Sequence, residues 1–132
     1  MPSADQVNPE QAEGELVTRV FAMPADTNAN GDIFGGWLVS HMDMGGSVAG
    51  RRRARCRVVT AAIDSMSFIK PVFVGDCVSV YAHLIKIGRT SMQYKIEVWT
   101  TTGVTEDFRK VAEGNFTFVA IDDDGKPQAV NR

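Results

Sequence analysis

Thr27-Asn28-Ala29-Asn30-Gly31-Asp32-Ile33-Phe34-Gly35-Gly36-Trp37, running on to Met42-Asp43-Met44-Gly45-Gly46, decides how this chain folds. The first half is turn chemistry. Asn and Asp side chains hydrogen-bond nearby backbone, and Asn-Gly tolerates left-handed conformations. The second half changes period. Leu38, Met42, Gly45 and Ala49 recur at spacings of four, three and four, the rhythm of one helix face. The spacing predicts a helix from Gly36 to about Arg53, whose closing arginines suit the negative end of its dipole. Inside it sit one carboxylate, Asp43, and two glycines, Gly45 and Gly46. Each glycine costs up to about 1 kcal/mol in a helix interior, a cost that points to close packing against the sheet or another helix, or to access for a substrate chain, with packing the preferred reading. A polar loop, free helix amides and an interior acid together read as an active site.

Strands flank this unit. Residues 15–22 read as a first strand. After the helix, Val58 to Ile69 is rich in β-branched residues, and residues 77–87 alternate, with Val78, Val80, Ala82 and Leu84 on one face. Residues 92–101 alternate again through Met92, Tyr94, Ile96 and Val98, and 109–121 carries Phe116 and Phe118. The links are short: Pro71 with Gly75-Asp76, Gly88-Arg89-Thr90-Ser91, and a polar loop near 102–108. One helix lying on one antiparallel sheet of five strands is the simplest α+β solution. Such a sheet leaves an edge strand and part of one face poorly covered, which argues for association with a second copy.

Composition bounds the rest. The 132 residues suit one domain, and 44% hydrophobic content suits a folded core. The expected division is an N-terminal tail over 1–14, one domain over 15–125, and a C-terminal tail over 126–132. No apolar run approaches the roughly 20 residues of a membrane helix, and the acidic, polar start matches no targeting signal. A net charge of -2 speaks against a general polyanion binder. The two cysteines, Cys56 and Cys77, have no ligand-like spacing and read as free thiols of a cytoplasmic protein. His41 and His83 make a poor basis for a zinc site, so no metal is expected.

Five segments in order now carry a resemblance: residues 27–36, Met42-Asp43-Met44-Gly45-Gly46, Phe68-Ile69-Lys70-Pro71, Val74-Gly75-Asp76 and Gly88-Arg89-Thr90-Ser91. Over about residues 15–125 the chain resembles the hotdog-fold acyl-CoA thioesterases of the YciA type. The resemblance implies a curved antiparallel sheet wrapped round one long central helix. It also implies a homodimer as the active unit, assembled further as a trimer of dimers. The activity implied is hydrolysis of acyl-CoA to free acid and coenzyme A. The cofactor is none, since coenzyme A belongs to substrate and product.

The candidate chemistry follows. An acid in an apolar helical stretch loses hydration, which raises its pKa toward that of a useful base. The resemblance places the catalytic carboxylate at Asp43, acting as general base on water or attacking the thioester to give an anhydride. Both routes stay open. The first helix amides, at Gly35 and Gly36, lack intrahelical partners and suit a carbonyl gaining negative charge. Gly36 and Asp43 share a face but lie about 10 Å apart along the axis. One helix can hardly bring both to one thioester, so the site is expected to be shared between subunits. Asn28 and Asp32 complete the catalytic set, as residues that position water or the carbonyl or that merely brace the turn. Asp32 stands where some members of the family carry Asn, and Phe34 where others carry His.

For coenzyme A the candidates are Phe68, Lys70 and Pro71, with Gly88, Arg89, Thr90 and Ser91; pantetheine needs backbone partners, and phosphates need cations and amides. The run Arg51, Arg52, Arg53, Arg55 and Arg57 is open to three readings: docking of nucleotide phosphates, binding of nucleic acid, or a solvated helix end. The acidic balance and the absence of interleaved aromatics disfavour nucleic acid. Two other functions stand beside hydrolysis: a hotdog-fold dehydratase or hydratase on a 3-hydroxyacyl thioester, and a non-catalytic acyl-CoA-binding module. The dehydratase needs an acid–base pair that usually includes a His near the helix. His41 lies about 200° round the helix from Asp43.

Overall fold

A computed structural model of the protein describes residues 12–104 and 107–130. The elements are β1 (Glu15–Phe21), a 3-10 turn (Pro24–Asp26), α1 (Gly35–Ala54), β2 (Arg57–Phe68), β3 (Cys77–Ile87), β4 (Ser91–Thr101) and β5 (Arg109–Ile121). The strands form one five-stranded sheet in the order β1-β3-β4-β5-β2, and every neighbouring pair is antiparallel. The α1 crossover therefore carries the chain from one edge of the sheet to the other. It touches all five strands on the way.

Alternation builds the core. Val78, Val80 and Ala82 of β3, Met92, Tyr94, Ile96 and Val98 of β4, and Phe116, Phe118 and Ala120 of β5 all turn inward. Trp37, Leu38, Met42 and Ala49 of α1 meet them. Gly45 and Gly46 are what let the helix come so close. A β-carbon at Gly45 would stand 2.7 Å from Val17, and one at Gly46 would stand 2.6 Å from both Ile96 and Phe118. Contact of helix backbone with sheet side chains offsets the poor helix propensity of glycine. The helix closes at Arg55, left-handed at φ 57°, whose N–H caps the Arg51 carbonyl.

The outer face of the sheet has its own cover. Phe108, on the loop before β5, stacks on Trp99 with ring centroids 4.8 Å apart and meets Tyr81 edge-on. Beside them Glu97 is buried. It accepts a hydrogen bond from Trp99 Nε1 at 2.8 Å and pairs with Lys95 and Lys110, each at 3.6 Å. The poor cover expected for part of a face is met instead at the β2 edge. Val59, Ile63 and Phe68 of β2 are exposed there, as are Met44 and Val48 on the adjoining face of α1.

The expected C-terminal tail is docked over its described part. Gln128 N–H donates to the Ala120 carbonyl, Val130 N–H donates to the Arg89 carbonyl, and the Val130 side chain is buried. Of the expected N-terminal tail, residues 1–11 lie outside the described residues; Ala12 packs on the Tyr81, Trp99 and Phe108 cluster. Among the described residues no helix is long and apolar enough to cross a membrane.

Candidate active site

The polar loop folds as a closed hairpin-like turn. Thr27 bridges to Ile33, Gly31 is left-handed at φ 83°, and Asn28 N–H donates to the Asp32 carbonyl at 2.7 Å. The Asn28 side-chain oxygen accepts from the amides of Asn30 and Asp32 at 2.9 and 3.1 Å. Asn28 therefore braces the turn through Oδ1, and its side-chain NH2 has no protein partner among the described residues. Asp32 is exposed at the loop tip.

The turn delivers the chain into α1 with Phe34 in extended conformation at the N-cap and no side-chain cap on the free amides. Gly35 and Gly36 are the first two helical residues, so the helix starts one residue before the predicted Gly36. Among the described residues no protein acceptor meets either N–H. The Phe68 ring lies over Gly35, where a β-carbon would come within 3.2 Å of it. Gly35, Leu38, Phe68, Lys70 and Pro71 thus line one groove, of about 450 Å³. Half of the expected coenzyme A set is here, next to the helix amides.

The other half is not. The turn Gly88–Ser91 joins β3 to β4 at the far end of the sheet, where Ala120 N–H donates to the Thr90 carbonyl at 2.9 Å. The register sets Phe68 level with Val80, through Ala112 and Val98, so about 25 Å of strand separates the two groups at strand rise. Arg51 to Arg57 also lie at the far end, because Arg57 pairs opposite Ile121.

Asp43 sits midway, at the open edge. It is half-buried, so the expected withdrawal from water is not achieved inside one subunit. Its Oδ1 accepts a hydrogen bond from Thr60 Oγ1 at 2.5 Å. Thr60 belongs to β2 and faces the helix because its register partner is Phe118, a core residue. Sequence reading missed Thr60. It lies in a β-branched run with nothing to mark its face, and only the β2–β5 pairing fixes it. The unbroken helix keeps Asp43 seven residues from Gly36, about 10 Å along the axis.

His41 takes no part in this. Its ring packs on Trp37 at 4.2 Å, and burial lowers its pKa while Asp26 pulls it back up. The acid–base pair that the dehydratase reading needs is not assembled with Asp43. Among the described residues no group of three or more His, Cys, Asp or Glu side chains could hold a metal.

A family model for the thioesterase superfamily matches residues 30–106, from the polar loop into the β4–β5 connection. The chain belongs to the thioesterase superfamily. Within it, the chain is 49% identical over 121 residues to the acyl-CoA thioester hydrolase YciA of Escherichia coli, an alignment covering 89% of this chain and 92% of that one. A solved hexameric thioesterase of Yersinia pestis superposes with a TM-score of 0.87 at 51% identity, covering 92% of this chain and 98% of that one. A hexameric broad-specificity acyl-coenzyme A thioesterase gives a TM-score of 0.87 at 47% identity, covering 92% and 84%. This thioesterase therefore has the hotdog architecture expected from its sequence, with the central helix carrying both the glycine amides and the acid.

Proposed function

We propose that this acyl-CoA thioester hydrolase works through a site shared by two subunits, with Asp43 and Thr60 from one and the Gly35–Gly36 amides and Asn28 loop from the other. The observation that carries the reading is the position of Asp43: at an uncovered strand edge, and about 10 Å along its own helix from the amides it must work with. Antiparallel pairing of two β2 edges about a two-fold axis keeps both helices on one side of a continuous sheet. It sets the Arg57 end of each β2 beside the Phe68 end of the other. The exposed Met44, Val48, Val59 and Ile63 become covered, and Asp43 loses water. The hexameric state of the solved relatives supports assembly of such dimers in threes. Free Cys56 and Cys77 support a cytoplasmic setting.

The chemistry is acyl transfer to water. The helix amides polarise the thioester carbonyl and hold its oxygen as negative charge develops. Asp43, oriented through Oδ1 by Thr60, presents Oδ2. As base it takes a proton from water, the water oxygen bonds to the carbonyl carbon, the C–S bond breaks, and the proton passes to the leaving thiolate. As nucleophile its oxygen bonds to the carbonyl carbon as the C–S bond breaks and the thiolate leaves; water then opens the anhydride to the free acid and the Asp43 carboxylate, its proton passing to the thiolate. The reaction calls on no metal or redox cofactor.

Asp43→Asn and Gly36→Val proteins are each expected to be inactive, the second because its side chain fills the approach to the amides. Assembled together at equal amounts, half of the dimers are hybrids, each with one intact site. About a quarter of wild-type activity should return. No recovery would place both halves in one chain. Thr60→Val is expected to lower kcat about tenfold with KM little changed, since a hydrogen bond to a charged group contributes about 1.5–3 kcal/mol. Unaltered steady-state kinetics would remove Thr60 from the site.

A further inference from the structure

The helix end opposite the glycines is the most concentrated charge in the molecule. Arg51, Arg52, Arg55 and Arg57 line one open cavity of about 580 Å³ together with Val48 and Cys56. That volume falls in the range of small-molecule sites. Among the described residues, few carboxylates meet Arg51, Arg52, Arg55 and Arg57. Arg52 has an exposed pair with Glu15 at 3.8 Å. Arg57 donates to the Asp122 carbonyl at 3.1 Å, a neutral acceptor. The Asp122 carboxylate is engaged instead with the amides of Asp124 and Lys126. Among the described residues, no carboxylate pairs with Arg51 or Arg55. Clustered guanidinium groups also face the negative pole of their own helix, which weakens but does not cancel them.

The cavity lies further along the same helix that carries Asp43. Val48, Arg51 and Arg55 continue the exposed face of α1 that begins at Met44, at spacings of four, three and four. Along the axis Arg51 stands about 12 Å from Asp43, and Arg55 about 18 Å. A long flexible arm would join a group bound there to a thioester at Asp43. The Gly88–Ser91 turn converges on the same end: Thr90 is held to Ala120, beside the Ile121 that pairs with Arg57. The groove by Gly35 offers only Lys70 as a cation among its lining residues, too little for several phosphates.

Resting on the shared-site reading, we infer that Arg51 and Arg55, with Arg57, hold the nucleotide phosphates of the coenzyme A whose thioester lies at Asp43 of the same subunit. Guanidinium forks suit phosphate oxygens two at a time. The Arg51→Gln/Arg55→Gln protein, compared on acyl-CoA and on the same acyl group carried by pantetheine, tests this. KM for acyl-CoA should rise at least tenfold with kcat within about threefold, and the pantetheine ester should be turned over as by wild type. Added salt should raise the wild-type KM for acyl-CoA and leave that for the pantetheine ester flat. Equal losses on both substrates, or none on acyl-CoA, would overturn the assignment. Calorimetry in an Asp43→Asn background reads the contact without turnover. Coenzyme A should bind at least tenfold more weakly when the arginines are changed, and pantetheine equally well. That difference survives even if the catalytic reading fails, and its absence overturns the phosphate site alone.

Discussion

Asp43→Asn is expected to reduce kcat for acyl-CoA hydrolysis by at least about a hundredfold, with fold and assembly unchanged. Asparagine keeps the size of the side chain and an oxygen to accept the Thr60 hydrogen bond. What it removes is the charge and the ability to take a proton or attack carbon. Loss of an essential acid–base or nucleophilic group is worth this much on either route. KM should change little, because the proposed binding groups lie elsewhere, in the groove beside Gly35 and at the arginine end of the helix. The measurement is thiol release across several acyl-CoA chain lengths. A near-normal rate would end the mechanism and leave the glycine amides without a partner.

Arg109→Leu is expected to remove about 3 kcal/mol or more of folding stability while sparing the chemistry of any molecule that remains folded. Asp76, after the Gly75 turn, is fully buried. Its Oδ2 accepts from Phe73 N–H at 2.9 Å and from Arg109 Nη2 at 3.2 Å. Arg109 also donates to Thr102 Oγ1 at 2.8 Å and lies over the Phe73 ring at 5.7 Å. The pair thus ties the β2–β3 link to the start of β5. A surface ion pair would contribute little. Here, removal of the cation strands a carboxylate in the interior, which typically costs 3–5 kcal/mol in total, by the usual range for breaking a buried pair. Asp76→Asn in addition should recover part of the loss, because the stranded charge is gone. Urea unfolding of the three proteins checks both points. A double variant no better than Arg109→Leu would show that packing, not charge, dominates.

The elements were legible because their periods are clean. Alternation at 77–87 and 92–101, and the four-three-four spacing from Leu38, each bury one face, so the sequence must show it. The helix start was legible because Gly-Gly after a polar turn has a chemical reason to be there. Strand order was not. β1 and β2 lie at opposite edges because the helix crosses the whole sheet, and alternation says nothing about neighbours. The same gap hid Thr60, whose orientation depends on β2 pairing with β5. It also hid the separation of Phe68-Lys70-Pro71 from Gly88–Ser91, which are linked by family resemblance but lie at opposite ends of one chain. Phe108 was missed for a different reason: a lone aromatic in a polar loop carries no period, and its place on Trp99 is purely tertiary.

The two edges of the sheet are unlike, and that difference sets how far assembly can run. β2 offers 12 residues of edge with apolar side chains. β1 offers 7, with its register broken between Leu16 and Thr18 and Arg19 tied back to Ser79. A chain with two equally good edges would add copies without end, as a growing ribbon. The proposed dimer joins long edge to long edge once, and both are then used up. If two β2 edges pair as proposed, growth by that pairing stops at two, and a larger particle is built through other surfaces.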